Sequence, residues 1–182
     1  MATPPKSSYP VRWVKQELLR DGTFVTLRPI KSTDAAAEVS FFNNLSDHAR
    51  YQRFMMAVHE MTPEMVKHFT DVDYQRDMAF VAVHGKEATE EIVGVARYVA
   101  RGKVCEFAVA VIDEWQHRGL GTLLMKRLMR YARNRGHKVM QGSTFSTNTA
   151  MIDFAQKLGF TTHIDPDGPT STLLRRKLPL RG

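Results

Sequence analysis

The sequence predicts an α+β fold, with a mixed and mostly antiparallel central sheet flanked by helices. Two observations lead to this prediction. Valine-rich apolar runs separated by glycine turns fill the middle of the chain, and from Gly119 the apolar spacing changes from a strand period to a helix period. With 182 residues, the chain is long enough to bury one core without disulfides.

We predict one domain over residues 11–182, preceded by a flexible lead-in over residues 1–10. The lead-in is rich in proline, serine and threonine, a composition typical of chain ends without packed structure. The rest of the sequence shows neither an internal repeat nor an interdomain linker.

The first third of the domain predicts a hairpin followed by helices. Asp21-Gly22 is a favoured two-residue turn, so the flanking segments Trp13–Leu19 and Phe24–Arg28 are expected to pair. Start signals then predict three helices. The start signals are Ser32 or Thr33 before a helix over residues 35–44, Ser46 before a shorter helix, and Thr62-Pro63-Glu64 before a third helix.

The middle of the chain predicts an antiparallel meander of three strands, Met78–His84, Glu91–Ala100 and Lys103–Val111. Gly85 and Gly102 provide the turns between them.

A long helix is predicted from Gly119, and Gly136 is the glycine expected just beyond its end. Its apolar face is formed by Leu120, Leu123, Leu124, Leu128 and Tyr131. A strand over residues 138–144, a helix over residues 148–158 and two strands around residues 165–168 complete the expected fold.

The composition narrows the class of protein. Lysine and arginine outnumber acidic residues 26 to 19, so the net charge of +7 suits phosphate-bearing ligands or acidic partners. Aromatic stacking platforms and recognition-helix patterns are absent from the sequence, so we predict no nucleic-acid binding.

The single cysteine, Cys105, and the lack of an apolar leader or spanning segment favour a reducing cytoplasmic location away from membranes. No metal site is predicted, because the seven histidines form no His-x-x-x-His pair.

The junction Gln116–Gly121 predicts an anion-binding site. It lies where a strand ends and a helix begins, and the first amides of a helix have no partner within it. It lacks the Gly-Lys-Ser/Thr of a Walker loop, and Leu124 stands where the dinucleotide fingerprint requires its third glycine. A turn in which the glycines only adopt unusual backbone angles is the alternative.

Glu106 interrupts the otherwise apolar run Val104–Val111. One explanation is a paired or edge-exposed carboxylate, balanced by Arg97 on the preceding strand. The other is a general base whose proton affinity is increased by burial.

These segments resemble the GNAT superfamily of acyl-CoA-dependent N-acyltransferases. Gln116-x-x-Gly119-x-Gly121 is similar to its pyrophosphate loop, and Asn148–Phe160 is similar to its later helix with the Leu-Gly-Phe ending. Within the superfamily, the sequence most resembles the acetyltransferase domain of bacterial Pat-type protein lysine acetyltransferases. The segments with that likeness are Asp21-Gly22, Leu27-Arg28-Pro29-Ile30, Arg53-Phe54, Gly94–Tyr98 and Glu106–Val109.

The resemblance implies acetyl-CoA as acyl donor and no metal. The main chain of Val109 and Val111 would bind the pantetheine arm, and Asn148 would add a further contact. The amides of the loop would hold the pyrophosphate, with Arg118 the nearest phosphate neighbour. The loop residues are Gln116, His117, Arg118, Gly119, Leu120, Gly121 and Thr122.

The resemblance also implies an acetyl-CoA-dependent N-acetyltransferase acting on protein lysine, with the active-site lysine of an acyl-CoA synthetase as a candidate target. Transfer would be direct, with Glu106 as general base and a strand amide near Val109 stabilising the oxyanion. Cys105 is expected to point away from Glu106 as a buried thiol. Ala155 stands where many family members have a tyrosine that protonates the leaving thiolate, and Tyr74 and Tyr98 are weak substitutes.

Two alternatives remain open at this stage. One is an acetyltransferase for a small amine, and the other is a non-catalytic acyl-CoA-binding regulatory module. The sequence does not predict the oligomeric state.

Overall fold

The computed structural model describes residues 7–179. Its centre is one eight-stranded sheet with the order β1-β2-β3-β4-β5-β6-β8-β7. The strands are β1 (Lys15–Leu18), β2 (Phe24–Pro29), β3 (Asp77–His84), β4 (Glu91–Arg101), β5 (Val104–Val111), β6 (Val139–Phe145), β7 (Thr161–Ile164) and β8 (Ser171–Lys177). Five helices flank the sheet: α1 (Ala35–Asn44), α2 (Asp47–Phe54), α3 (Pro63–Thr70), α4 (Leu120–Asn134) and α5 (Thr149–Lys157).

The pairing confirms the predicted mixed, mostly antiparallel sheet. The neighbours from β1 to β5 are antiparallel, as are the pairs β6–β8 and β7–β8, whereas β5 and β6 are parallel. The parallel pair follows from chain direction, because α4 crosses over between β5 and β6 and returns the chain to the same end of the sheet.

The hairpin and two of the helix starts are confirmed. β1 begins at Lys15 rather than Trp13, whose buried ring packs 5.0 Å from that of Tyr131. The side-chain oxygens of Ser46 and Thr62 accept hydrogen bonds from the amides three residues ahead, as N-caps do.

The predicted cap of α1 is wrong. A 3₁₀ turn over Ser32–Asp34 precedes the helix, so Asp34 occupies the capping position in place of Ser32 or Thr33. The carboxylate of Asp34 is held by two hydrogen bonds of 2.7 and 2.8 Å from the guanidinium of Arg28. The Asp34 carboxylate is therefore bonded to the buried Arg28, a contact that local sequence spacing does not predict.

The long helix α4 packs its apolar face on β3, β4 and β5. Leu120, Leu124 and Leu128 are fully buried there, and each such side chain contributes roughly 1.5–3 kcal/mol to folding. Gly94 of β4 permits the close approach, because a Cβ at that position would lie 2.9 Å from Cδ1 of Leu124. This contact fixes the N-terminus of α4 beside the end of β5.

Part of the predicted lead-in lies outside the described residues, namely residues 1–6. Within the described part, the Tyr9 hydroxyl donates to the Pro29 carbonyl at 2.9 Å, and its ring packs edge-on against Tyr74. The domain start at residue 11 stays a prediction.

Candidate active site

The loop between β5 and α4 forms a cradle of main-chain amides. His117 and Gly119 both have left-handed backbone angles, with φ of 61° and 84°. The amides of Leu120, Gly121 and Thr122 precede the first hydrogen bond of α4, from the Leu123 amide to the Gly119 carbonyl. Three donors at the positive end of a helix dipole form a site suited to a phosphate group.

Glycines and one glutamine side chain determine the shape of this loop. Gly119 caps the helix without a side chain, and a Cβ on Gly121 would lie 3.4 Å from the Phe154 ring of α5. Gln116 fixes the loop to the strand, since its side-chain amide donates to the Val111 carbonyl at 3.1 Å. The glycines therefore shape the loop, and the Gln116 side chain braces it.

Arg118 is engaged elsewhere in the structure. Its guanidinium donates to the Asp21 carboxylate at 2.9 Å and to the Glu114 carbonyl at 2.8 Å. Arg20, between β1 and β2, is a second arginine at the loop, and no local sequence pattern indicates it. A Cβ built on Gly119 would be 3.5 Å from Nε of Arg20. Only the folded hairpin brings this arginine to the loop, so no local motif could have revealed it.

β5 and β6 pair only at the start of β5. The parallel register ends at Glu106 with Gln141, and a Cβ on Gly142 would lie 2.9 Å from the Phe107 carbonyl oxygen. Beyond that point β6 pairs with β8 alone, which leaves a space between Ala108–Val111 and β6. We call this space the β5–β6 gap.

The main chain of Val109 and Val111 faces the gap. The Ile112 amide donates to the Val93 carbonyl of β4, so the residues one and three positions earlier direct their amides away from β4. Their amides are therefore free to bind an extended ligand as an added strand would.

Asn148 caps α5. Its side-chain oxygen accepts from the Met151 amide, and its side-chain nitrogen donates to the Thr144 hydroxyl, each at 3.2 Å. The cofactor contact predicted for Asn148 remains a prediction, because both ends of this side chain already hold the start of the helix.

Glu106 faces a cavity of about 220 Å³ on the side of the sheet covered by α1, α2 and α3. It is solvent-exposed, so the expected burial is wrong. In the register of β4 and β5 it lies opposite Val99, on the row that β3 continues with Asp77. A carboxylate placed in this way is accessible both to an acceptor in the cavity and to water.

The proposed pairing of Glu106 with Arg97 is also wrong. Arg97 lies opposite Ala108, and its guanidinium donates at 2.9 Å to Glu38 of α1, which is buried above the sheet. Burial raises the pKa of Glu38, against the lowering effect of Arg97, and burial lowers the pKa of Arg97. Glu106 is therefore without this counterion.

Cys105 points to the opposite face of β5 and is fully buried. Burial raises the pKa of its thiol to about 12, so the nucleophilic thiolate is disfavoured at neutral pH. This agrees with the buried thiol expected from the sequence.

The two tyrosines considered as proton donors are both in the core. The Tyr74 hydroxyl donates to the Ile30 carbonyl at 2.7 Å, and burial raises its pKa to about 12. Burial also raises the pKa of Tyr98. Tyr51 of α2 is exposed and stacks on Phe145 at the end of β6, with ring centroids 5.0 Å apart.

Arg127 of α4 and Arg135 just beyond its end are held by hydrogen bonds within the protein. Arg127 donates to the Trp13 carbonyl and to Glu17, and Arg135 donates to the Tyr131 hydroxyl. Among residues 7–179 there is no cluster of three or more histidine, cysteine or carboxylate side chains suited to a metal. No helix in that same range is long and apolar enough to cross a bilayer.

The fold and this site match a known family of enzymes. The family model described as "Acetyltransferase (GNAT) family" matches residues 42–160, more than half of the chain. The chain therefore belongs to the GNAT family and is an acetyltransferase. Members of this family use acetyl-CoA.

Individual relatives agree with the family assignment. The chain is 37% identical over 169 residues to acetyltransferase PA5475 of Pseudomonas aeruginosa, covering 91% of this chain and 89% of the relative. It is 28% identical over 144 residues to acetyltransferase Pat of Mycolicibacterium smegmatis, covering 78% of this chain but only 42% of Pat. Among solved structures, the GNAT domain of S. lividans PAT superposes with a TM-score of 0.87 at 27% identity, covering 94% of this chain and 100% of that domain.

Proposed function

We propose that this enzyme transfers an acetyl group from acetyl-CoA directly to the side-chain amine of a protein lysine, with Glu106 as general base. One observation supports this most. Glu106 lies where the pairing of β5 and β6 ends, so it adjoins both the acceptor cavity and the β5–β6 gap.

On the donor side, the residues fit acetyl-CoA. The amides of Leu120, Gly121 and Thr122 would hold the pyrophosphate, and the main chain of Val109 and Val111 would hold the pantetheine arm in the gap. When bound, acetyl-CoA supplies the activated thioester. The Val109 amide would donate to the thioester carbonyl oxygen as negative charge develops there.

On the acceptor side, the amine must lose a proton before it attacks. A lysine amine with a pKa of about 10.4 is almost wholly protonated at neutral pH. Glu106 accepts that proton, directly or through one water, and its exposure lets the proton pass on to solvent. Positioning of the amine beside the thioester supplies the remaining acceleration.

The active-site lysine of an acyl-CoA synthetase is the proposed target, on the strength of the Pat-type resemblance and the similarity to the GNAT domain of S. lividans PAT. We also propose that the enzyme is cytoplasmic, as the sequence predicts. A small amine is the second candidate acceptor. The cavity volume of about 220 Å³ favours a small acceptor, because it is below the roughly 300–1,000 Å³ of pockets that bind drug-sized ligands.

The test is CoA release from acetyl-CoA with purified acetyl-CoA synthetase as acceptor, followed by mass spectrometry of the acceptor. Wild type, Glu106→Gln and Glu87→Gln are compared, since Glu87 is an exposed glutamate away from the cavity. We expect acceptor-dependent release, one modified lysine, and loss of activity in Glu106→Gln alone.

Other outcomes separate the alternatives. Release with small amines but not with the synthetase would contradict the protein target. Binding of acetyl-CoA without release to any acceptor, unchanged by Glu106→Gln, would identify a regulatory module instead.

A further inference from the structure

Side chains of both charge signs line the acceptor cavity. Glu106 and Asp77 lie on one cross-strand row at its rim, on either side of Val99. Arg53 and Arg97 also line the cavity, and we call the part that they form its floor. An amine is attracted to the carboxylates at the rim, and the two guanidinium groups leave the floor of the cavity positive.

Arg97 is already paired at this floor. Its guanidinium donates to Glu38 and to the Phe69 carbonyl, and it lies 4.4 Å from the centroid of the Phe69 ring. The Glu38 carboxylate balances the charge of Arg97, and the contacts with Phe69 fix the position of its guanidinium over the sheet.

Arg53 has no such partner. Within residues 7–179 it makes no hydrogen bond or ion pair, and its guanidinium lies over the ring of Phe54 at 4.8 Å. Burial, helped by the charge of Arg97, lowers its pKa to about 10, so it is still cationic at pH 7. Glu38 is the nearby carboxylate. Its Oε1 accepts from Arg97 and its buried Oε2 has no hydrogen-bond partner, so it acts on Arg53 only through its charge, which raises the pKa of Arg53.

Two guanidinium groups therefore line the floor, and the carboxylate that pairs with one of them, Glu38, lies outside the cavity lining. Arg53 is half-buried, and a partly desolvated cation without a hydrogen-bonded anionic partner is only incompletely compensated for the water it has lost. A ligand that brings a carboxylate to Arg53 removes this imbalance, and hydrogen bonds between guanidinium and carboxylate are among the strongest in proteins.

We propose that Arg53 recognises a carboxylate on the acceptor, so that the preferred acceptor carries an anionic group close to the amine that is acetylated. In a protein acceptor this group is an Asp or Glu side chain next to the target lysine. The inference rests on the proposed function and specifies the acceptor of the same site.

The dimensions agree with this proposal. Arg97 and Glu106 are diagonal neighbours on adjacent strands, about 7–8 Å apart, and Arg53 faces the same cavity. One short segment can therefore reach the base with its amine and the arginine floor with its carboxylate.

A matched pair of acceptors tests the proposal. Nα-acetyl-lysine and Nα-acetyl-lysine amide present the same amine and differ only in the carboxylate. A second pair of peptides places Glu or Gln beside one lysine. For each pair, kcat/KM is measured with wild type, Arg53→Gln, Arg53→Lys and the control Arg12→Gln, which removes an exposed arginine from a 3₁₀ turn on another part of the surface.

We expect wild type and Arg12→Gln to prefer the carboxylate member by about tenfold or more, as for a hydrogen bond to a charged group. Arg53→Gln should reduce the ratio to about one, and Arg53→Lys should restore part of it. Because both acceptors are measured on the same preparation, partial misfolding of a variant lowers both rates and leaves the ratio informative.

Three results would overturn the inference. Equal kcat/KM for both members in wild type shows that no carboxylate is recognised. An unchanged preference in Arg53→Gln assigns recognition to another residue. Absence of transfer to either member and to the synthetase overturns the proposed function, and this inference with it.

Discussion

The two halves of the proposed active site are built from different parts of the chain. The donor half consists of main-chain amides, those of the loop before α4 and of Val109 and Val111. The acceptor half consists of charged side chains: Glu106, Arg53 and Arg97 line the cavity, and Glu38 pairs with Arg97. A main-chain site constrains backbone angles, whereas a side-chain site constrains residue identity. Substitutions in the two halves should therefore have separable effects.

The largest effect is expected from Glu106→Gln. Loss of a general base lowers kcat by about 10²–10⁴-fold. Affinity for acetyl-CoA should be unchanged, because the donor half is made of main chain. Steady-state rates and calorimetric titration with acetyl-CoA measure the two quantities. A matching loss of donor affinity would show that the halves are not separate.

Arg97→Met should have the largest effect on stability. It leaves the buried Glu38 without its hydrogen-bonded cation, which costs about 3–5 kcal/mol of unfolding free energy. For a protein of this size that lowers the melting temperature by roughly 6–20 °C. Arg101→Met, at the exposed end of the same strand, is the control and should shift stability by no more than about 0.5 kcal/mol.

The loss in Arg97→Met should depend on pH. Burial already raises the pKa of Glu38 above its unfolded value, and loss of Arg97 raises it further. The folded state then binds a proton more readily than the unfolded chain, so stability increases as pH falls. Thermal unfolding at pH 5 and pH 7 checks this, and a deficit that is larger at pH 5 would contradict it.

Gly119→Val should affect the donor half alone. Gly119 has a φ of 84°, where a β-branched residue is strained, and relief of that strain turns the loop amides away from the phosphate position. We expect affinity for acetyl-CoA to fall about tenfold, equivalent to about 1.4 kcal/mol. Gly102→Val is the control, since Gly102 has a φ of 62° and open space around it, in the turn between β4 and β5. An equal loss of affinity in the control would point to a global effect.

Arg118→Gln should have the smallest effect. The ion pair of Arg118 with Asp21 is exposed to solvent, so its loss should change the stability very little. If main chain dominates the donor half, the dissociation constant of acetyl-CoA changes less than about fivefold. A larger change, measured against salt concentration, would make Arg118 a phosphate ligand in the bound state.

Most of the donor half was predictable from sequence, because it is local. The sequence predicted a strand ending at Val111 and a helix starting at Gly119, and the structure has β5 ending at Val111 and α4 capped by Gly119, with an additional 3₁₀ turn over Asp113–Trp115 between them. Left-handed backbone angles favour glycine, so the residue type itself indicates the geometry.

The acceptor half was predicted less well, because its contacts join distant segments. Glu38 and Arg97 are 59 residues apart in the chain, and no local spacing predicts their ion pair. The same limit explains the wrong pairing of Arg97 with Glu106, which are close in sequence but lie in different rows of the sheet. Arg20 and Asp34 were missed for the same reason, since tertiary contacts determine their partners.

The β5–β6 gap also affects the tendency of this protein to aggregate. An unpaired strand edge on the outside of a protein is a template for another chain, and natural proteins cover or interrupt such edges. Here the free amides of Val109 and Val111 lie inside the sheet, with β6 across the gap. Because β6 lies across the gap, a foreign strand that brings neighbouring strands of its own is hindered there. The fold thereby keeps hydrogen-bonding capacity available for a ligand without offering it to a second copy of the chain.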